Sequence, residues 1–192
     1  MKRYLYNASL LVLMIVCGTV SATAQQTQPA KPSAPQSSFR NEVLRQLDDA
    51  KSKFLALAQA VPQEKYSWRP GEGVRSTSEV YTHVATSNYV IPVALGFIPP
   101  TGLHGELDRI TNKAEVIKIL KESFEYVRQV IEDTPDTALD KTVKLFGNYT
   151  TVRDVFLTLA VHAHEHLGQS VAYARMNNIV PPWTAAREGQ HR

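Results

Sequence analysis

Apolar side chains recur at three- and four-residue steps in four stretches of the chain, with charged and polar residues between them. This periodicity predicts four amphipathic α-helices. They run from about Phe39 to Ala60, from Ser76 to about Val90, from Lys113 to Glu132, and from Thr151 to about Met176. Four helices that each bury one stripe predict an all-α protein, a four-helix bundle around a single core.

Residues at the helix boundaries support this assignment. Ser76 is followed three residues later by Glu79, which predicts a capping box at the start of the second helix. Thr151 and Asp154 have the same spacing and predict a second capping box. Pro92 ends or kinks the second helix, because proline lacks the amide donor and clashes with the preceding turn.

The segments between the helices are rich in Gly and Pro and predict irregular structure. Tyr66 and Trp68 are expected to anchor the first connector to the bundle. The long segment 96–110 contains His104 and is of a kind that often covers a site. No run of alternating residues is long enough to predict a β-strand, including in the segment that leads to the fourth helix.

The N-terminal residues differ from the rest. Lys2 and Arg3 precede a short apolar run and an Ala-Thr-Ala site, which predicts a secretory signal peptide over residues 1–24 with cleavage after Ala24. Residues 25–38 are Gln, Pro, Ser and Ala with little to bury, and predict a disordered linker. The helical domain is therefore expected to span 39–192, in a periplasmic or secreted protein.

Removal of the signal peptide changes the composition in two ways. The only cysteine, Cys17, is lost, so the mature chain has no disulfide and depends on its core for stability. Nineteen basic and 18 acidic residues remain, since Lys2 and Arg3 are the only charged residues removed. This near balance gives no indication of nucleic-acid binding, nor of membrane binding after cleavage.

The fourth helix carries the sequence "VHAHEHLGQS", with histidines at 162, 164 and 166. With about 100° per residue, His166 lies about 40° from His162, in the sector that faces the bundle axis, and His164 lies about 200° away. Glu165 falls on the flank, and Gln169 returns to the inward face. The zinc-protease signature His-Glu-x-x-His is absent, because the residue three positions after Glu165 is Gly168 and not a histidine.

His162 and His166 form a helical i, i+4 pair that can bind one divalent ion. A third ligand has to come from another helix, and His83 lies beside Val84 on the apolar stripe of the second helix. Hydrogen-bonded core histidines are the alternative for each residue alone. Burying three imidazoles without partners costs about 2 kcal/mol or more each, which favours a shared metal ion.

Two segments, "VPQEKYSWRPGEGVRSTSEVYTHVATSN" and "YTTVRDVFLTLAVHAHEHLGQSVAYARMNNIVPP", resemble the DinB-like superfamily of bacterial metal-binding four-helix bundles, over essentially residues 39–183. The resemblance implies that His83, His162 and His166 bind a divalent ion such as nickel or zinc. Many members carry another histidine directly before the last ligand. Here that position holds Glu165, and a histidine stands one residue earlier.

Three functional hypotheses follow. The first is an exported metal-dependent enzyme of transferase or hydrolase type, with an open three-histidine site for Zn, Ni or Fe and a small-molecule substrate that the sequence does not identify. In this hypothesis Gln169 and Glu165 are the candidate residues that hydrogen-bond to the metal-binding histidines. The second is a non-catalytic metal-stabilised binding module, with a homodimer as one option. The third is a plain bundle with structural histidines.

Overall fold

In this computed structural model, residues 38–101 and 107–190 are described. The predicted signal peptide, the predicted linker up to residue 37, and His104 lie outside the described residues. The described part is mostly helical. None of its helices is long and apolar enough to cross a membrane.

Five α-helices are present in the described part: α1 (Phe39–Ala60), α2 (Thr77–Val90), α3 (Lys113–Asp133), α4 (Val152–Met176) and α5 (Pro182–Gly189). The four long helices agree with the predicted ones to within about two residues. The short α5 was not predicted, because the prolines after α4 were interpreted only as the end of that helix. In the structure Pro182 occupies the first turn of α5, where its missing amide proton is not needed.

The helix boundaries follow from local hydrogen bonds. Ser76 and Glu79 form the predicted capping box: Ser76 Oγ accepts from the Glu79 amide, and the Glu79 carboxylate accepts from the Ser76 amide at 2.6 Å. Thr151 caps α4 by accepting from the Asp154 amide. The carboxylate of Asp154, however, accepts from the hydroxyl of Thr150 at 2.6 Å, so the second predicted capping box is only half formed.

A β-hairpin precedes α4, where no strand was predicted. Strands β1 (Thr142–Leu145) and β2 (Asn148–Thr151) pair antiparallel, with Val143 opposite Thr150. The turn residues Phe146 and Gly147 have φ values of 48° and 88°, as a two-residue hairpin turn with the right-handed strand twist requires. The prediction was wrong because four-residue strands are too short for alternation to show and Phe-Gly is not a typical turn pair.

The core lies among the four long helices. Phe54 of α1 is fully buried and contacts Tyr81 of α2 edge-to-face, with ring centroids 6.1 Å apart. Helix α1 packs against α3 and α4, and α2 packs against the same two helices. α1 and α2 are therefore diagonal neighbours, and so are α3 and α4; the connectors 61–76 and 134–151 join these diagonal pairs. Among the four adjacent pairs, α2 and α4 make the least extensive contact.

Candidate metal centre

Three histidines converge between α2 and α4. His83 comes from α2, and His162 and His166 come from successive turns of α4. One nitrogen from each ring lies within 4.8 Å of the corresponding nitrogens of the other two. The ring centroids are 4.5 Å apart for His162 and His166, 4.7 Å for His83 and His166, and 5.1 Å for His83 and His162.

The core positions of the same helices hold these side chains in place. Val155 and Leu159 are fully buried and precede His162 and His166 on one stripe of α4. On α2, Val84 is fully buried directly beside His83. All three histidines are half-buried, so the cluster lies at the edge of the core and is partly exposed.

The spacing of the nitrogens fits a metal site. Nε2 of His83 lies 3.2 Å from Nε2 of His162. Two imidazole nitrogens bound to one tetrahedral zinc ion, at about 2.0–2.1 Å each, are about 3.3 Å apart. A hydrogen bond from the Nε2–H of one neutral ring to the bare Nε2 of the other has the same length. The convergence of His166 on this pair favours the metal site, because a hydrogen bond satisfies only two rings.

Electrostatics keep two of the rings neutral. Burial, reinforced by the charge of Arg75 and the proximity of His166, lowers the pKa of His83 to about 4. Burial and the neighbouring His166 and His83 lower the pKa of His162 to about 4, against a weaker opposing effect of Glu165. Metal ligation requires neutral imidazoles, and both rings meet this requirement at neutral pH.

A chain of contacts fixes the orientation of His166. Its Nδ1 lies 2.8 Å from Oε1 of Gln169, and Nε2 of Gln169 donates to the Tyr173 hydroxyl at 3.0 Å. Because the amide oxygen can only accept, Nδ1 of His166 carries a proton, and in the neutral ring it is then Nε2 that offers a lone pair to a metal ion. Trp68 packs edge-to-face on Tyr173 with centroids 5.4 Å apart, so the first connector is anchored beside the cluster as expected.

The remaining residues of the motif are less directly connected to the cluster. Glu165 is exposed, on the flank where the helical wheel places it, and acts on His162 only through its charge. His164 was expected to face solvent or a partner, but it is half-buried near Gln46 of α1, and its Nε2 is buried without a hydrogen bond in the described part of the chain. His164 thus faces solvent only in part, because it lines the groove between α1 and α4, and its contact with a partner subunit stays a prediction.

Sequence reasoning missed the role of Arg75. This residue directly precedes the cap of α2, and its charge acts on both His83 and His162. The irregular sequence of the connector did not indicate that Arg75 lies near the two histidines. The segment 96–110, expected to cover a site, packs in its described part against α2 and α3, through Asp108 near Thr82 and the carbonyl of Ile98 at the Tyr126 hydroxyl.

Comparison with known proteins identifies the family. The sequence profile of the DinB superfamily matches residues 46–170. The chain belongs to the DinB superfamily. The resemblance noted in the sequence is therefore confirmed, and the three converging histidines are those that the DinB-like resemblance singles out.

Solved structures of DinB-like proteins share the fold. A DinB-like protein from Bacillus cereus ATCC 10987 superposes with a TM-score of 0.64 at 17% identity, covering 73% of this chain and 93% of that one. A DinB-like protein from Bacillus subtilis gives a TM-score of 0.58 at 20% identity, covering 72% and 92%. At these identities the likeness establishes the DinB-like fold alone. A comparison with curated proteins finds no match.

Proposed function

We propose that this chain is an exported protein that binds one divalent metal ion through His83, His162 and His166, and that it is a metal-dependent enzyme of transferase or hydrolase type acting on a small molecule. The observation that carries the proposal is the convergence of three imidazole nitrogens from two helices. His166 presents Nε2 to the cluster because Gln169 occupies its Nδ1.

The donor set indicates reactivity. A divalent ion held by three neutral imidazoles supplies a Lewis acid with at least one open position, which is the arrangement of catalytic rather than structural zinc sites. Imidazole ligands suit Zn, Ni and Fe. The protein residues fix the ligand geometry: Gln169 orients His166, and Tyr173 with Trp68 shields that contact from water.

A non-catalytic, metal-stabilised binding module is the second candidate. It is favoured by the position of the cluster between α2 and α4, the adjacent pair with the least extensive contact. An ion at this position would hold the two helices together. The oligomeric state is a separate prediction, a homodimer, which light scattering of the purified chain checks.

Metal content of the purified protein tests both candidates. We expect one divalent ion per chain in the wild type and none after joint substitution of His83, His162 and His166 by Ala. His164→Ala is the matched control, since it removes an imidazole from the same turns of α4 but lies outside the cluster. Equal metal content in the triple variant and the wild type would eliminate the metal site.

Thermal unfolding with and without a chelator separates the two candidates. Because the stabilisation of the folded state grows with the logarithm of ligand concentration over Kd, a tightly held structural ion produces a large drop in Tm on removal. A small drop together with retained helicity favours the open, reactive site. Export has its own test: N-terminal sequencing of the mature protein is expected to begin at Gln25, directly after the predicted cleavage site.

A further inference from the structure

The connector between α1 and α2 carries Arg75 directly before the N-cap of α2, where backbone hydrogen bonds hold the chain. The amide of Thr77 donates to the carbonyl of Trp68 at 2.9 Å, and the amide of Ser78 donates to the carbonyl of Tyr66 at 2.8 Å. Tyr66 itself is fully buried. The backbone on either side of Arg75 is therefore held by the core, although the Arg75 side chain is exposed.

The two arginines of this connector differ in their partners. Arg69 forms an ion pair with Glu79 at 3.0 Å and donates to the carbonyl of Val74 at 3.1 Å. Arg75 makes no hydrogen bond or ion pair with any residue in the described ranges. Arg69 thus maintains the connector, whereas the guanidinium of Arg75 keeps its five donors for another molecule.

The connector that contains Arg75 lies beside the cluster. Trp68 of the connector packs on Tyr173, whose hydroxyl is bonded to Gln169, the partner of His166. Arg75 also lies close enough to His83 and His162 for its charge to disfavour a proton on either ring.

The local charge of the site is positive. The three grouped side chains are imidazoles without a carboxylate among them. With neutral imidazoles, a divalent ion would keep its full double charge; Arg75 adds one positive charge near His83 and His162, and Glu165 adds one negative charge near His162, so the sum stays positive. Such a site attracts anions, and a guanidinium matches the two oxygens of a carboxylate or a phosphate.

We propose that Arg75 binds the anionic group, carboxylate or phosphate, of the small molecule that this metal centre acts on. The inference depends on the proposed function, because it takes the histidine cluster as the place where that molecule binds. It names the substrate class that the proposed function leaves open: small oxyanions.

The test measures anion binding to Co²⁺-loaded protein. Acetate and methyl phosphate are titrated at constant ionic strength into the wild type, Arg75→Gln and Arg75→Lys, with binding followed by the visible absorption of the bound cobalt. Lys144→Gln is the matched control, since it removes one positive charge from an exposed position on the β-hairpin. Cobalt content is measured for every variant beforehand.

We expect Arg75→Gln to weaken binding of the preferred anion about tenfold, because a charge-assisted hydrogen bond is lost. Arg75→Lys should lose less, since it keeps the charge but not the fork of donors, and Lys144→Gln should bind as the wild type does. The anion whose affinity falls more in Arg75→Gln identifies the group that Arg75 binds, carboxylate or phosphate.

Failure of the inference differs from failure of the proposed function. A wild type that takes up no Co²⁺ contradicts the metal site and, with it, the role of Arg75. If the wild type takes up Co²⁺ but binds neither anion, only the role of Arg75 is contradicted. The same holds if Arg75→Gln binds both anions as well as the wild type does. Equal loss in Arg75→Gln and Lys144→Gln would reduce the effect to net charge and also overturn the inference.

Discussion

The side-chain oxygen of Gln169 lies 2.8 Å from Nδ1 of His166. This single contact determines which nitrogen of the ring faces His83 and His162, because the amide oxygen accepts the Nδ1 proton and leaves the Nε2 lone pair free. The contact is held in turn by Tyr173, whose hydroxyl accepts from the Gln169 amide nitrogen. The orientation of a candidate ligand is thus set by a residue one turn further along the same helix.

Loss of this contact should weaken metal binding. We expect Gln169→Leu to reduce the affinity for Zn²⁺ about 10- to 100-fold, the range typical for residues that orient a ligand histidine. Competition with a chromogenic chelator measures the affinity. Gln169→Glu keeps an acceptor oxygen for Nδ1 and is the control that should retain tight binding; unchanged affinity in Gln169→Leu would show that His166 needs no such partner.

Two fully buried tyrosines of the core, Tyr66 and Tyr81, should respond differently to loss of their hydroxyls. Tyr66 donates to the carbonyl of Ala58 at 2.8 Å, and Tyr81 has a buried hydroxyl without a hydrogen bond in the described part. We expect Tyr66→Phe to cost about 1 kcal/mol and Tyr81→Phe to be neutral or stabilising. Urea unfolding monitored by circular dichroism measures both; equal destabilisation would contradict the difference in bonding.

The metal-free protein should lose stability in mild acid. Burial lowers the pKa of both His83 and His162 to about 4, whereas unfolded histidines titrate near 6.5. Between these values the unfolded chain binds more protons than the folded one, so the free energy of unfolding falls as the pH decreases through this window. Above about pH 6.5 the two residues add no pH dependence.

Urea unfolding in the presence of a chelator, from pH 4 to pH 7, measures this dependence. Other groups titrate in the same range, so the comparison is with the double variant His83→Asn, His162→Asn. The pH slope of the wild type should exceed that of the double variant. Parallel curves would mean that the folded protein accepts protons on these rings without cost.

The hairpin turn offers a stabilising substitution. Phe146 is 68% exposed and has a φ of 48°, a left-handed conformation that costs a bulky L-residue about 1 kcal/mol. Phe146→Asn should raise the free energy of unfolding by about 0.5–1 kcal/mol, because asparagine tolerates this conformation. Tyr149→Asn, at an 81% exposed strand position, is the control and should not stabilise.

The sequence allowed most of the fold to be predicted, because 3.6-residue periodicity is strong in long helices. The same reasoning placed His162, His166 and Gln169 on one face of α4, since direction on a helix follows from spacing. These are relationships within one helix that a sequence encodes directly. His83 was added because it lies on the apolar stripe of another helix and a metal site needs a third ligand.

Features set by packing between distant segments could not be predicted. The partial burial of the His164 side chain depends on how α1 packs against α4. The position of Arg75 depends on backbone hydrogen bonds from the start of α2 to residues 66 and 68. The hairpin 142–151 is too short to leave a periodic pattern. The spacing of apolar residues likewise does not predict that α1 lies diagonally to α2 and α3 to α4.

That diagonal placement has a consequence for biosynthesis. His83 and His162 are 79 positions apart, and the helix that carries the second half of the cluster is the last of the four long ones to be made. A nascent chain therefore exposes His83 well before its counterparts emerge, and the three nitrogens can meet only after α4 has been made and docks against α2. Assembly of the cluster thus follows synthesis of all four long helices.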